Sequence, residues 1–428
     1  MRILKRGIYF SCTALSLTFA ETGEIRTWSS ANGQATFSGS VVQIVSGKVI
    51  LDNGQGKEVT VPIAKLSQAD RDYLSAYQQE RKSEQRAAER KVDLPYKQGE
   101  VVGPIRAKSS SHYYLYLPES LTSTRKAPLL FYTHSSRPQD ARLIEELITA
   151  AEINGWVMAL SVESCNDNGT SANLDTANKA VDHILDTLPV DKKRLYFTGN
   201  SGGGAMCMIN GADMRACGLM PNVGYLPSSA GKPKCDVFVI NGGTDYNRYT
   251  SADMRKKIGK TAVHRFHGGG HGKAPAWLFQ DGMLWLEGRY LAEKGDKAAG
   301  ERDDYIEALT AWINANTIRE PHRAYYWAVF MKKQLNCSPA QNAALDAVIS
   351  ELGQAPENAL YVEGLADIDN LSLNKLSKYG QGSLYDHSNG AVESECEKLL
   401  RKYEGVPVIE DALKAIGSPT PPKPSYAY

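Results

Sequence analysis

Ser201 stands in the pentapeptide Gly199-Asn200-Ser201-Gly202-Gly203, between the apolar run Leu195-Tyr196-Phe197 and the small-residue stretch Gly204-Ala205-Met206-Cys207-Met208-Ile209. That spacing demands a strand that turns into a helix within a few residues. A side chain two positions either side of the serine would collide with the neighbouring strand or helix, so glycine is needed at 199 and 203. The serine hydroxyl then points out of the turn, and the amide that follows is placed to donate to an anion. Glycine and serine are common in this chain, so the pentapeptide gains its weight from context. It follows a predicted strand, and open α/β sheets gather their active sites at the C-terminal ends of strands.

A serine nucleophile needs a base to take its proton and a carboxylate to hold that base in the correct tautomer. Val237-Phe238-Val239-Ile240 reads as a buried parallel strand and runs into Asn241-Gly242-Gly243-Thr244-Asp245, which places Asp245 on the loop at its C-terminal end. Asp245 is the expected acid. Asp253 is its rival, but it falls where the stretch Thr250 to Ile258 reads as a helix start and suits a solvated first-turn carboxylate. Ala262-Val263-His264-Arg265-Phe266 alternates like a strand and opens into His267-Gly268-Gly269-Gly270-His271-Gly272. His271, on this flexible loop, is the expected base, with His267 as the alternative; His264, inside the strand pattern, reads as structural. The four-residue spacing of His267 and His271 is a metal pattern only on a helix, and the glycines between and beside them argue against one. No metal and no cofactor is expected.

The oxyanion donors should be the Gly202 amide and a second amide from the loop after an earlier strand. Pro128-Leu129-Leu130-Phe131-Tyr132-Thr133 is that strand, and His134-Ser135-Ser136-Arg137-Pro138 the loop. Ser135 occupies the position where many hydrolases carry glycine; its backbone N–H is the expected second donor, and His134 reads as a loop brace. Residues from about Tyr96 to Leu291 resemble a secreted α/β-hydrolase of the polyhydroxyalkanoate depolymerase and feruloyl esterase type. The resemblance rests on Tyr114-Leu115-Tyr116-Leu117-Pro118, the strand to His134, Gly155-Trp156-Val157-Met158-Ala159-Leu160, the helix Asp175 to Leu188, and Val190 to Tyr196 leading into the serine turn. The order Ser201, Asp245, His271 matches the order in that family. The resemblance implies a doubly wound, mostly parallel sheet and ester hydrolysis without a cofactor.

The N-terminus reads as a signal peptide over 1–20: Arg2, Lys5 and Arg6 form a positive region, Gly7 to Leu17 an apolar one, and Thr18-Phe19-Ala20 a small-residue cleavage site. It is too short for a stable anchor, and no other segment approaches the roughly 20 apolar residues of a membrane span. Export to the periplasm or the outside, with cleavage near Ala20, is therefore expected. Cys12 leaves with the signal, and Cys165, Cys207, Cys217, Cys235, Cys337 and Cys396 remain. An oxidising compartment favours pairing, with Cys337–Cys396 and Cys217–Cys235 the expected bridges and Cys207 either a small buried side chain or a partner of Cys165. With 49 basic and 48 acidic residues the formal charge is +1, so bulk electrostatics call for neither nucleic acid nor an anionic membrane.

From Ile25 to about Tyr77 the texture changes to short β-rich runs separated by Gly and Asn turns, the pattern of a small barrel. Ser67 is the expected N-cap of a short helix from Gln68 to Leu74. Arg26-Thr27-Trp28-Ser29-Ser30 and Val61 to Asp70 closely resemble the Sla homology domain, a Src-homology-3-like barrel. The domain reads as a binding module for a ligand or protein that the sequence does not name, or as a spacer; Trp28 either packs the core or lines a groove. Residues 24–77 form this domain, 78–95 a charged helical linker with interspersed signs, 96–293 the hydrolase domain, 294–416 a helical domain, and 417–428 a proline-rich disordered tail. In the helical region Tyr325-Tyr326-Trp327 either joins the core or lines a substrate cleft.

The leading expectation is an exported serine carboxylic-ester hydrolase working through an acyl-enzyme on Ser201, on polysaccharide-linked or polyester acyl groups or on small esters. A non-catalytic cell-envelope binding protein with a hydrolase-fold scaffold is the alternative, and a serine peptidase the third. The partners expected are the ester substrate and the barrel's ligand.

Overall fold

The structure, a computed structural model, describes residues 25–45, 48–53, 57–89, 94–108, 111–138, 140–379 and 390–419. The expected signal peptide and most of the expected tail lie outside these residues. The chain divides into two compact units, residues 1–88 and 89–428.

The first unit is an antiparallel meander of β1 (Arg26–Ser29), β2 (Thr36–Val45), β3 (Lys48–Asp52) and β4 (Glu58–Pro62). A bridge between Ser30 and Leu66, with Ser67 N–H donating to the Ser29 carbonyl, brings the chain after β4 back beside the end of β1. Trp28 belongs to the core: it is buried against Val49, Leu51, Leu66 and Leu74, and its indole N–H donates to the Gly39 carbonyl. Ser67 caps the following helix by accepting from the Asp70 N–H, while Asp70 accepts from Ser29 N–H and from Arg26. The expected short helix is instead one of 22 residues, Gln68–Glu89. No Gly or Pro interrupts that stretch, so nothing separates the domain's closing helix from the charged linker.

The second unit is built on an eight-stranded sheet: β5 (Val101–Arg106), β6 (His112–Tyr116), β7 (Ala127–Thr133), β8 (Val157–Ser161), β9 (Val190–Asn200), β10 (Gly218–Asn222), β11 (Asp236–Gly242) and β12 (Ala262–His267). Their order across the sheet is β12-β11-β10-β9-β7-β8-β6-β5. β5 and β6 pair antiparallel, β6 meets β8 antiparallel, and every other neighbouring pair is parallel. The central strands are apolar on both faces because both faces are covered. Leu130, Tyr132, Met158, Leu160 and Met220 pack under the helices Ile148–Asn154 and Ala276–Lys294, whereas Leu129, Phe131, Val157, Ala159 and Phe197 face the other side.

The helices after residue 299 belong to the same compact unit. Arg323, on the helix Pro321–Gln334, donates to the Asp281 carboxylate at 2.7 Å, and Trp327 donates its indole N–H to the same oxygen at 3.0 Å. Trp327 is thus core rather than cleft. The helix Pro356–Asn374 and the last helix, Pro407–Gly417, pack on β12 and cover that edge of the sheet. Among the described residues no helix is long and apolar enough to cross a membrane, and no cluster of side chains suits a metal ion.

All six described cysteines are free thiols, so the expected bridges are not formed. Cys337 lies in the core shared with the sheet and Cys396 in the separate cluster of the last helices. Cys217 and Cys235 each stand one residue before the paired Gly218 and Asp236 that open β10 and β11. Cys207 is a buried small side chain whose thiol donates to the Phe197 carbonyl.

Candidate active site

β9 ends at Asn200 and the helix Gly202–Asp213 starts two residues later, leaving Ser201 alone in the turn. Its backbone sits at φ 56° and ψ −117°, a region that non-glycine residues rarely adopt. Such strain persists only where the surroundings over-determine it. Here β7 and the helix close in on the turn: a β-carbon on Gly199 would lie 2.5 Å from the Thr133 carbonyl oxygen and 2.3 Å from that of Gly203. The Ser201 N–H donates to the Asn222 carbonyl at the end of β10, which fixes the turn from the other side.

The structure brings Ser201, His271 and Asp245 together. Ser201 Oγ lies 2.8 Å from His271 Nε2, and His271 Nδ1 lies 2.7 Å from Asp245 Oδ1. Asp245 is fully buried and further accepts from the Asn247 N–H and, through Oδ2, from the Asn241 carboxamide at 2.5 Å. The loops that carry Asp245 and His271 are laced together: Gly243 N–H donates to the His267 carbonyl, and Thr244 donates through both N–H and hydroxyl to the Gly269 carbonyl. The Tyr246 ring stacks on the His271 imidazole at 4.0 Å between centroids.

The Asp245 loop is also backed by the helix Pro407–Gly417. Gly243 packs against Ala415 and Ile416 of the last helix. The buried Arg248 guanidinium donates to the carbonyls of Gly243, Ala415 and Ser418, so one side chain holds the loop and the C-terminal end of that helix.

The remaining expected residues fall as follows. His267 closes β12, and its Nδ1 accepts from the Gly269 N–H, so it braces the base loop. Burial holds its imidazole below the usual histidine range, against the opposing pull of Asp245. Asp253 pairs with Lys257 on its own helix and stands outside the cluster. His134 hydrogen-bonds Ser136 and braces its loop. Gly202 opens its helix, where a first-turn N–H has no intrahelical acceptor. Ser135 is the second residue of the loop after β7, and its carbonyl accepts from the Asn166 N–H at 2.9 Å. The Asn166 carboxamide lies against Gly202, so one residue touches both expected oxyanion donors. Nothing in the sequence pattern singles out Asn166, Asn241 or Tyr246. Their one signal is position, since each follows or ends a strand at the C-terminal edge of the sheet.

Strand order, elbow and loop placement together decide the architecture. The second unit has the α/β-hydrolase fold. Residues 17–82 match the family model of SLA1 homology domain 1. No curated protein matches the chain in sequence. Among solved structures, Est1E from Butyrivibrio proteoclasticus is 15% identical, with 40% of this chain and 91% of that one covered at a TM-score of 0.33. An arylesterase is 11% identical over 51% and 96% of the two chains, TM-score 0.37. An S-formylglutathione hydrolase from Staphylococcus aureus is 13% identical over 46% and 100%, TM-score 0.35.

Proposed function

We propose that the chain is a serine hydrolase that cleaves carboxylic esters through an acyl-enzyme on Ser201. The observation that carries this reading is the unbroken relay from Ser201 through His271 to a fully buried Asp245. A scaffold with no catalytic task has no need to hold a serine in a strained backbone and to aim an imidazole at it.

In this mechanism His271 Nε2 takes the Ser201 proton as Oγ attacks the ester carbonyl. Asp245 stabilises the imidazolium from the Nδ1 side. The Gly202 and Ser135 amides hold the oxyanion, and preorganised donors of this kind act on charge that develops only in the transition state. His271 then protonates the leaving alcohol, and a water molecule releases the acid by the same route. The residues need no metal or cofactor for any of these steps.

The proposal includes export. The support is the basic start, the apolar run Gly7 to Leu17 and the small residues to Ala20. Esters of polysaccharides or polyesters outside the cytoplasm would then be the substrate class, with the SLA1 homology domain as a module for binding a ligand or partner.

Hydrolysis of a p-nitrophenyl acyl panel, acetate to octanoate with feruloyl, tests the reading on purified protein and on Ser201→Ala. Activity in the first and none in the second supports it, and the chain-length profile measures the acyl pocket. No activity in either, together with no labelling by a fluorophosphonate, would return the hydrolase unit to a scaffold role; cleavage of an anilide in preference to the esters would favour a peptidase.

A further inference from the structure

Behind Asp245 a buried polar chain continues where the triad ends. Asn241 Nδ2 donates to Asp245 Oδ2 at 2.5 Å, Asn241 Oδ1 lies 2.9 Å from His264 Nε2, and His264 Nδ1 lies 2.7 Å from Ser372 Oγ. Asp245, Asn241, His264 and Ser372 are all fully buried. Ser372 belongs to the helix Pro356–Asn374, more than a hundred residues beyond β12.

The protons in this chain have one consistent arrangement. A carboxylate only accepts, so Asn241 must turn its NH2 to Asp245 and its oxygen to His264. His264 must then present Nε2–H to that oxygen. Burial holds this imidazole neutral, with its pKa lowered to about 3; Arg255 and Arg265 act in the same sense and Asp369 against it. A neutral ring with its proton on Nε2 has a lone pair on Nδ1, which accepts from the Ser372 hydroxyl. Each donor therefore points towards Asp245. The helix is pinned beside His264 by Asp369, which accepts from the His264 N–H at 2.7 Å and takes a two-pronged pair with Arg255.

We propose that Asn241 is a positioning residue for Asp245, and that its orientation is set through neutral His264 by Ser372, which makes the C-terminal helical region part of the catalytic machinery. The inference rests on the serine-hydrolase reading for its catalytic meaning. A buried Asp245 that loses the Asn241 donor keeps the Asn247 N–H but is a less stabilised anion, and it draws the proton of His271 more strongly. The groups facing His271 are Ser201, Asp245 and the stacked Tyr246 ring; those acting on His264 are Asp369, Arg255 and Arg265.

The test is the titration of the His271 ring followed by NMR in the full chain, which needs no turnover. Asn241→Ala should bind the His271 proton about tenfold more tightly than the parent. His264→Leu should move it the same way by severalfold, and Ser372→Ala by less. His264→Gln, which keeps an N–H donor for Asn241, and Ser372→Thr, which keeps the hydroxyl, should stay near the parent midpoint. Folded Asn241→Ala or His264→Leu with the parent midpoint would overturn the inference; should either fail to fold, the Ser372→Ala and Ser372→Thr pair carries the comparison, and equal midpoints there overturn it. Fluorophosphonate labelling of the parent separates the two readings. A shifted midpoint without labelling sinks the hydrolase and keeps the coupling, whereas labelling with unmoved midpoints sinks the coupling alone.

Discussion

A β-carbon on Gly203 would lie 2.3 Å from the carbonyl oxygen of Thr133, one strand away. The Thr133 hydroxyl in turn donates to the Gly203 carbonyl at 3.0 Å, so β7 and the first turn of the helix after Ser201 are locked at backbone contact. Gly203→Ala must push the helix off the strand and take the elbow with it. The expected result is an ester-hydrolysis rate at least about a hundredfold lower. Comparison with Ala205→Gly, a change two residues further along the same helix, separates this loss from simple helix weakening.

Asn166 joins the two residues whose N–H groups are proposed to hold the oxyanion. Its N–H holds Ser135 and its carboxamide rests on Gly202. Asn166→Ala keeps the backbone bond and removes the packing, so kcat should fall about tenfold with KM little changed, the pattern of an interaction made mainly in the transition state. Steady-state kinetics on the best acyl chain of the panel measure it.

The Arg323–Asp281 pair is almost wholly buried, with side chains 4% and 9% exposed. Removing Asp281 leaves Arg323 with Glu320 as its remaining acidic partner and takes the acceptor from the Trp327 indole, which costs up to about 3–5 kcal/mol. Asp281→Ala should therefore lower the urea midpoint sharply. Asp281→Asn, which still accepts from Trp327, should fall between the two.

Acid should weaken the fold through His264. Its pKa is about 3 in the folded chain against an ordinary 6.5, so below pH 6.5 the unfolded chain takes a proton that the folded one refuses. The stabilisation is whole above pH 6.5 and is lost progressively as the pH falls towards 3, by an amount on the order of 4 kcal/mol. Denaturation midpoints between pH 7 and 4 should fall more steeply in the parent than in His264→Gln.

The parts of the site that follow strands were legible because strand and loop each leave a local mark. Leu195 to Phe197 before Ser201, Val237 to Ile240 before Asp245, and Ala262 to Phe266 before His271 announce where each loop begins, and a parallel sheet then gathers the loops at one edge. Asn241 and His264 could be seen as residues but not as a chain, since Ser372 that completes it lies 108 positions beyond His264 and nothing in the helical periodicity marks it. Composition changes near residue 78 while helix propensity does not, so the sequence suggests two segments where the structure has the single helix Gln68–Glu89. The cysteine pairing failed for a similar reason. Parity and compartment say how many thiols there are and where they are expected to go, but not that Cys337 and Cys396 belong to different cores.

Arg248 ties the loop of Asp245 to carbonyls at positions 415 and 418, near the end of the described chain. A ribosome delivers those carbonyls after every other element of the sheet. The elbow around Ser201 has its contacts with Thr133 and Asn222 by the time β12 emerges, but the Asp245 loop gains its last support only when residues 407–418 are out. A growing chain thus fixes the Ser201 turn early and the firmly seated Asp245 late, and trimming the dozen residues that follow position 406 would return a finished molecule to that earlier state.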